Sequence, residues 1–424
     1  MARLCSAAES SKQHGLSSLS WLRSRPLLTV WIFALVTQTA SVRWLVGNYV
    51  EPNAAPYVGR MLAATGRLEL TDWSRLKGGT RPSDPPLRAF ELPGEPLWVA
   101  AGTRTGLRVW DYWNVPVAAL LIVSIAAVGL AIGGPMLALI AGFVAALDPV
   151  TLLHASNRDD AVLGSALLWS VFAIIALRWR GWGYVPLFIA AGAAAITRME
   201  AVLLIVPLLA LRPIRRPAAI AVAGVVMALG AWGARNQLVL GHFVIGSTHD
   251  GITLWESNGP FARRSLSLGQ VDIVSMNKAV MAPIFAETQE LDEVGADAYF
   301  KRQALRYMAS HPLDVMRTSV EKMAVSIASI HPDLPLTAPR NLAAMLDNAL
   351  LLILAGIGLA RFARSPMAIA FAGMCLVTIT LLAIGPAGMR YWLTLRGALW
   401  ILAAVSISGH LIPRTLSSSA PALP

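Results

Sequence analysis

Apolar residues run along this chain in long uncharged blocks, and polar residues gather in the gaps between them. The longest block, Tyr112 to Leu147, carries no charge and is interrupted only by Gly133-Gly134-Pro135. A helix needs about 20 mostly apolar residues to cross a bilayer, so this block predicts two spans joined by a tight Gly-Gly-Pro turn. The same pattern predicts spans near 26–46, 114–132, 135–153, 161–177, 183–197, 200–211, 217–234, 342–360, 366–386 and 394–411. Segment 200–211 is short and also reads as a tilted or partly re-entrant hairpin arm. The first block, Pro26 to Ala40, lacks a small-residue cleavage site and reads as an uncleaved span.

Basic residues then orient the spans. They cluster in alternate gaps: Arg3, Lys12, Arg23 and Arg25; Arg178 and Arg180; Arg212, Arg215 and Arg216; Arg361 and Arg364; Arg414. Short basic loops mark the cytoplasmic side, which places both termini there. Both long loops, 47–113 and about 235–341, then fall on the outer side. In the first, Ala54–Leu68 places Tyr57, Val58, Met61 and Leu62 near helical spacing, as an interfacial helix or an ordinary amphipathic surface helix would. In the second, Ala296–Ser310 and Leu313–Ile330 predict two helices split at Pro312. The organisation expected is a cytoplasmic tail (1–25), an N-terminal membrane region (26–236) holding the first outer loop, an extracytoplasmic loop region (237–341), C-terminal membrane helices (342–411) and a disordered Ser/Ala/Pro tail (412–424).

Composition agrees. Hydrophobic residues make up 56% and charged residues 14% of the 424, with a mean hydropathy of +0.58, against about 25% charged and 45–50% apolar residues in soluble domains. The expected fold is an all-α polytopic transmembrane bundle of about ten spans with two long extracytoplasmic loops. The net charge of +11 sits in orientation loops, which argues against a nucleic-acid partner. Two cysteines, Cys5 and Cys375, exclude a disulfide framework. The seven histidines show no metal-ligand spacing, and no P-loop, GxGxxG or GxSxG motif is present.

Ionisable residues collect at the outer helix ends: Glu51, Asp148, Arg158, Asp159, Asp160, Arg198, Glu200, Arg235, Arg390 with Tyr391. Each has a plain structural reading. An arginine there meets lipid headgroups, Asp159-Asp160 caps the following helix, and Asp148-Pro149 stops one. Together, acids and arginines on one side suggest a cleft that binds an anion and activates a nucleophile, because charge at membrane depth faces a cavity or a partner.

Several segments, in order, resemble the GT-C superfamily of membrane glycosyltransferases, in the branch of dolichyl-phosphate-mannose protein mannosyltransferases and bacterial aminoarabinose transferases. They are Tyr57–Gly66 (YVGRMLAATG), Pro93–Gly106 (PGEPLWVAAGTRTG), Pro149 with Arg158-Asp159-Asp160, Thr197-Arg198-Met199-Glu200, Trp232–Asn236 (WGARN), Gly251–Pro260 (GITLWESNGP), Ala304–Lys322 with Pro312, and Met389-Arg390-Tyr391. The resemblance covers roughly residues 45 to 410. It implies a GT-C-like bundle that takes a sugar from a polyprenyl-phosphate carrier and passes it to a glycan, lipid or protein acceptor on the outer side of a bacterial inner membrane. The donor is a substrate and no cofactor is implied; a divalent metal stays open.

The resemblance also assigns roles. An acidic residue of the first outer loop would serve as base, with Glu51 as candidate and Glu91 and Glu95 as further ones; Asp159 and Asp160, between the third and fourth spans, are the other catalytic candidates. Arg198, Arg235, Arg390 and Tyr391 would bind the donor phosphate. Tyr57, Glu200, Asn258 and Lys322 occupy motif positions. Where such enzymes carry the catalytic Asp, this chain has Asn53, which cannot act as a carboxylate base; Glu256 also departs from the pattern. Two alternatives follow. One is a non-catalytic relative that binds lipid-linked sugar. The other is a transporter or flippase, against which stand the lack of an inverted repeat and of acidic residues at mid-membrane.

Overall fold

The computed structural model describes residues 24–45, 55–70, 86–105, 112–156, 160–178, 181–260, 262, 287–288, 290–328, 337–362, 366–386 and 388–408. Among these the fold is all-α. The helices are α1 (Pro26–Leu45), α2 (Ala55–Thr65), α3 (Gly94–Arg104), α4 (Val115–Leu147), α5 (Pro149–Ser156), α6 (Asp160–Ala176), α7 (Tyr184–Thr197), α8 (Glu200–Ile205), α9 (Arg215–Leu240), α10 (Asp250–Asn258), α11 (Glu293–Ser310), α12 (Pro312–Ala328), α13 (Pro339–Phe362), α14 (Pro366–Ile384) and α15 (Leu393–Ile407).

Among the described residues, the ten segments expected to span overlap α1, α4 to α9 and α13 to α15, and segment 135–153 is divided at Asp148 between α4 and α5. By length and composition, Val115–Leu147, Arg212–Leu240 and Asn341–Arg361 can each cross a bilayer, and the bent pair α5–α6 would make a fourth such element. Gly181–Thr197, Glu200–Ala210 and Ala370–Ile384 are shorter apolar helices. Several apolar helices of this kind make the chain a multi-pass membrane protein.

Inside α4 the helix is broken at Gly133 and Gly134, the latter at φ 77° and ψ −169°. Only glycine adopts such a conformation at little cost. The chain reverses there: a Cβ on Gly129 would lie 3.4 Å from Ala138 Cα in the opposite limb. The two limbs expected from the Gly-Gly-Pro pattern are therefore antiparallel neighbours. Small residues let other helices approach as closely, as is usual where lipid supplies no hydrophobic drive between helices. Gly142 of α4 sits against Val30 of α1, where an added Cβ would come within 2.6 Å of Val30. The core gathers Leu121, Ile122, Ile125 and Leu137 of α4 with Trp169 of α6 and Leu399, Trp400 and Ile401 of α15.

The two long loops pack on each other. In the first, α2 and α3 are paired, and Leu70 bridges to Leu87. In the second, Gly251 N–H donates to Asp297 Oδ1 at 2.6 Å and Trp255 meets Phe300, joining α10 to α11. The expected helix pair is present, divided at His311-Pro312, with the first helix capped by Asp292, which accepts from Gly295 N–H at 2.6 Å. Glu293 joins the loops: its carboxylate accepts from Arg88 N–H at 2.6 Å, Ala89 N–H at 2.8 Å and the Thr248 hydroxyl. Thr248 N–H in turn donates to Ala89 O at 2.8 Å. These bonds set Glu91, just beyond Ala89, beside the His249-Asp250 turn.

Candidate functional site

Helix α7 ends at Thr197, and Arg198 takes an extended backbone (φ −147°, ψ 120°) before α8 begins at Glu200. This break turns the Arg198 side chain towards the first turn of α6. Its Nη1 lies 3.1 Å from Asp160 Oδ2, and its Nε donates to Glu200 Oε1. The aliphatic stem lies over Gly164, one turn beyond Asp160; a Cβ there would come within 2.6 Å of Arg198 Cδ. Burial works against the charge of Arg198, but Asp160 and Glu200 outweigh it, so the guanidinium holds its proton more tightly than usual.

A short 3-10 turn, Met389–Trp392, supplies the neighbours. Arg390 Nη2 donates to Tyr391 Oη at 2.6 Å. The guanidiniums of Arg198 and Arg390 both lie over the Tyr391 ring, at 5.3 and 4.8 Å from its centre, within cation–π range. Glu91 approaches from the first long loop. Its side chain is 22% exposed, with Oε1 3.9 Å from His249 Nδ1, and the His249 ring packs on Phe90 at 4.3 Å. Burial pushes the Glu91 carboxyl up to about 8; Asp160 and Asp250 push the same way, while Arg390 and Arg198 oppose. Asp160, Arg198, Glu200, Arg390 and Tyr391, drawn from three distant stretches of sequence, thus form one cluster, and Glu91 lies within electrostatic range of Asp160, Arg198 and Arg390. The arrangement pairs two guanidiniums able to hold an anion with a carboxyl whose proton is exchangeable near neutral pH.

Other expected site residues lie elsewhere. Arg235 donates to Arg88 O at 2.7 Å, Leu68 O at 3.1 Å and Asn236 Oδ1 at 2.9 Å, and stacks on Trp232. Its fork therefore ties the first long loop to α9. Lys322 is buried in α12 and donates to Ser257 O at 3.0 Å, Asn258 Oδ1 at 3.2 Å and Gly385 O at 2.9 Å. Three oxygens match the three N–H of an ammonium. Asn258 extends this tie by donating to Ile384 O at 2.6 Å. Tyr57 is exposed and stacked under Arg60, and Glu95 is buried in the first turn of α3. Glu51, Asn53 and Asp159, and Arg158 with them, lie outside the described residues. Among the described residues, no three His, Cys, Asp or Glu side chains gather closely enough to hold a metal ion.

Sequence reasoning missed one polar network. Arg396 of α15, 0% exposed, binds Asp148 and Asn348 and lies 3.0 Å from Asp347 of α13, with its guanidinium 4.9 Å from the Trp392 ring centre. Asp148 stops α4 as expected, and its Oδ2 also accepts from Thr151 N–H at 2.8 Å, capping α5. A signal was available: Asp347 and Arg396 fall inside segments expected to span, and charges there have partners.

No family model and no curated protein matches the chain in sequence. In structure it is similar to the archaeal oligosaccharyltransferase AglB from Archaeoglobus fulgidus in complex with an inhibitory peptide and a dolichol-phosphate (TM-score 0.54, 16% identity, 92% of this chain and 51% of that one). It is equally similar to the Archaeoglobus fulgidus oligosaccharyltransferase in its apo form (TM-score 0.55, 15% identity, 94% of this chain and 52% of that one). A weaker likeness is to ArnT from Cupriavidus metallidurans bound to undecaprenyl phosphate (TM-score 0.39, 15% identity, 94% of this chain and 82% of that one). The chain spans about half the length of the two oligosaccharyltransferase chains. The likeness to the two oligosaccharyltransferase chains runs over most of this chain and shows a shared fold.

Proposed function

We propose that this chain is a membrane glycosyltransferase that moves a sugar from a polyprenyl-phosphate donor to an acceptor hydroxyl on the extracytoplasmic side, with both termini cytoplasmic. The observation that carries this reading is the convergence of Arg198 and Arg390 over the Tyr391 ring, within electrostatic range of Glu91, at the helix ends of a GT-C-like bundle. Arg198, oriented by Asp160 and Glu200, and Arg390, oriented by Tyr391, grip the donor phosphate through charge-assisted hydrogen bonds. The acceptor oxygen bonds to the sugar's anomeric carbon while the bond from that carbon to the phosphate oxygen breaks. The electron pair leaves on the phosphate, whose growing charge the two guanidiniums stabilise. The acceptor's proton passes to Glu91, a base tuned towards working pH.

The sign of the pH dependence follows. Glu91 is a base only when deprotonated, so transfer is expected to rise with pH and level off above about 8. Rates measured across this range in wild type and Glu91→Gln test it; an unchanged rising limb in the variant would move the base to Glu51, Asp159 or Asp160.

Gly164→Ala is expected to displace Arg198 and weaken binding of polyprenyl phosphate about tenfold, the equivalent of one distorted charged contact at about 1.4 kcal/mol. Native mass spectrometry of the purified protein reads the bound lipid, with Arg198→Ala/Arg390→Ala as the null. Full lipid occupancy in that double variant would contradict the phosphate assignment.

A second reading has one specific support. Asn53 stands where the resemblance has the catalytic Asp, as in a relative that binds lipid-linked sugar without transferring it. Lipid retained by wild type, with no turnover on any acceptor, would establish that reading.

A further inference from the structure

Helix α12 belongs to the long second outer loop, where an aqueous surface helix would turn its polar side outwards. It does the reverse. Thr318, Lys322 and Ser326, four residues apart, form its buried stripe. On the opposite side Leu313, Met316 and Val320 are 75%, 59% and 59% exposed, and Ala324 continues the line. At 3.6 residues per turn these four fall within about a third of the circumference, facing directly away from Lys322. The polar stripe is well satisfied. Lys322 reaches the three oxygens named above, Ser319 Oγ donates to Ala383 O at 2.8 Å, and Gly388 N–H donates to Ser326 Oγ at 2.9 Å. Partners at 383–388 level this helix with the end of α14 that leads into the Arg390-Tyr391 turn.

Polar residues inside and apolar ones outside is the arrangement of a helix solvated by lipid. Soluble surfaces rarely keep such a stripe uncovered. Its neighbouring helices also turn apolar surface outwards. Helix α12 packs on α13 and α14, whose own exposed faces carry Leu346, Leu350 and Ile353, and Leu376 and Ile379, respectively. Arg317, exposed in the same stripe and 3.2 Å from Glu321, sits where a guanidinium can reach a phosphate headgroup while its stem lies along apolar surface.

We infer that α12 lies in the outer leaflet, with Leu313, Met316, Val320 and Ala324 against acyl chains and Lys322 turned inwards to hold α10. The partner is the lipid bilayer itself, and the inference stands whether or not the chain transfers sugar. The membrane would then press directly on the element that Lys322 ties to Ser257 and Asn258.

Spin-label accessibility tests this in the full chain, reconstituted into phosphatidylethanolamine/phosphatidylglycerol vesicles with both cysteines replaced. Labels go on Met316→Cys and Val320→Cys, with Ile353→Cys as the lipid standard and Asp292→Cys as the water standard. Oxygen is expected to relax the α12 labels several-fold more than a water-soluble nickel chelate does, as at Ile353. Nickel access equal to that at Asp292 would overturn the inference. So would protection from both reagents, which would mean that protein, from this chain or a second copy, covers the stripe.

Discussion

Replacing Glu91 by glutamine is expected to lower sugar transfer by about 10²–10⁴-fold, the range that a positioned general base contributes. The variant keeps the shape of the side chain and should leave the fold intact, because Glu91 is partly exposed and its described contact is His249 at 3.9 Å. It also leaves the two guanidiniums in place. Binding of polyprenyl phosphate should therefore persist while turnover falls, so that kcat drops and donor affinity does not. Measuring both in one preparation separates a lost base from a lost phosphate site. Full activity would remove Glu91 from the chemistry. A matched loss of lipid binding and turnover would make it a structural group of the cleft.

The other large effect belongs to Arg396, outside the proposed chemistry. Arg396→Met is expected to destabilise the protein by about 3–5 kcal/mol, the cost of leaving a buried partner charge uncompensated. Asp148 is itself buried and would be left with only Thr151 as a described donor. The damage should spread, because Asp148 caps α5, and the same guanidinium joins α4, α13 and α15. Neutralising the acids as well, in Arg396→Met with Asp148→Asn and Asp347→Asn, should recover much of the loss, since apolar or neutral replacements of a whole buried ion cluster are often tolerated. Thermal unfolding in mild detergent, followed by tryptophan fluorescence and size-exclusion recovery, reads the series. An Arg396→Met protein as stable as wild type would show that the network contributes no net stability.

These two sites differ in how far they could be read from the chain. Arg198 and Glu200, or Arg390 and Tyr391, interrupt apolar runs, and a charge at the end of a span is visible to any local inspection. Choosing between Glu91 and Glu95 was another matter. Both lie in the first long loop, yet one lies within electrostatic range of Arg198 and Arg390 and the other is enclosed in the first turn of α3. The choice depends on Glu293, Thr248 and Ala89 pinning one loop to the other across some two hundred residues of chain. Arg235 was equally visible, but its donors go to Leu68 and Arg88, carbonyls that no pattern along the sequence pairs with it.

What the sequence determined by itself was whatever local solvation decides. Uncharged runs of about 20 residues must satisfy their backbone as helices in lipid. Gly133-Gly134-Pro135 must turn, because Gly134 takes a conformation other residues avoid, and Pro312 must divide α11 from α12 because proline cannot continue a helix from within. Tertiary structure alone decided which charges meet. Asp160 finds Arg198, Arg396 finds Asp148 and Asp347, and Lys322 turns inwards while Leu313, Met316 and Val320 turn out. Hydropathy is a property of neighbours along the chain. A buried charge is stabilised by neighbours in space, and those exist only once the helices have packed.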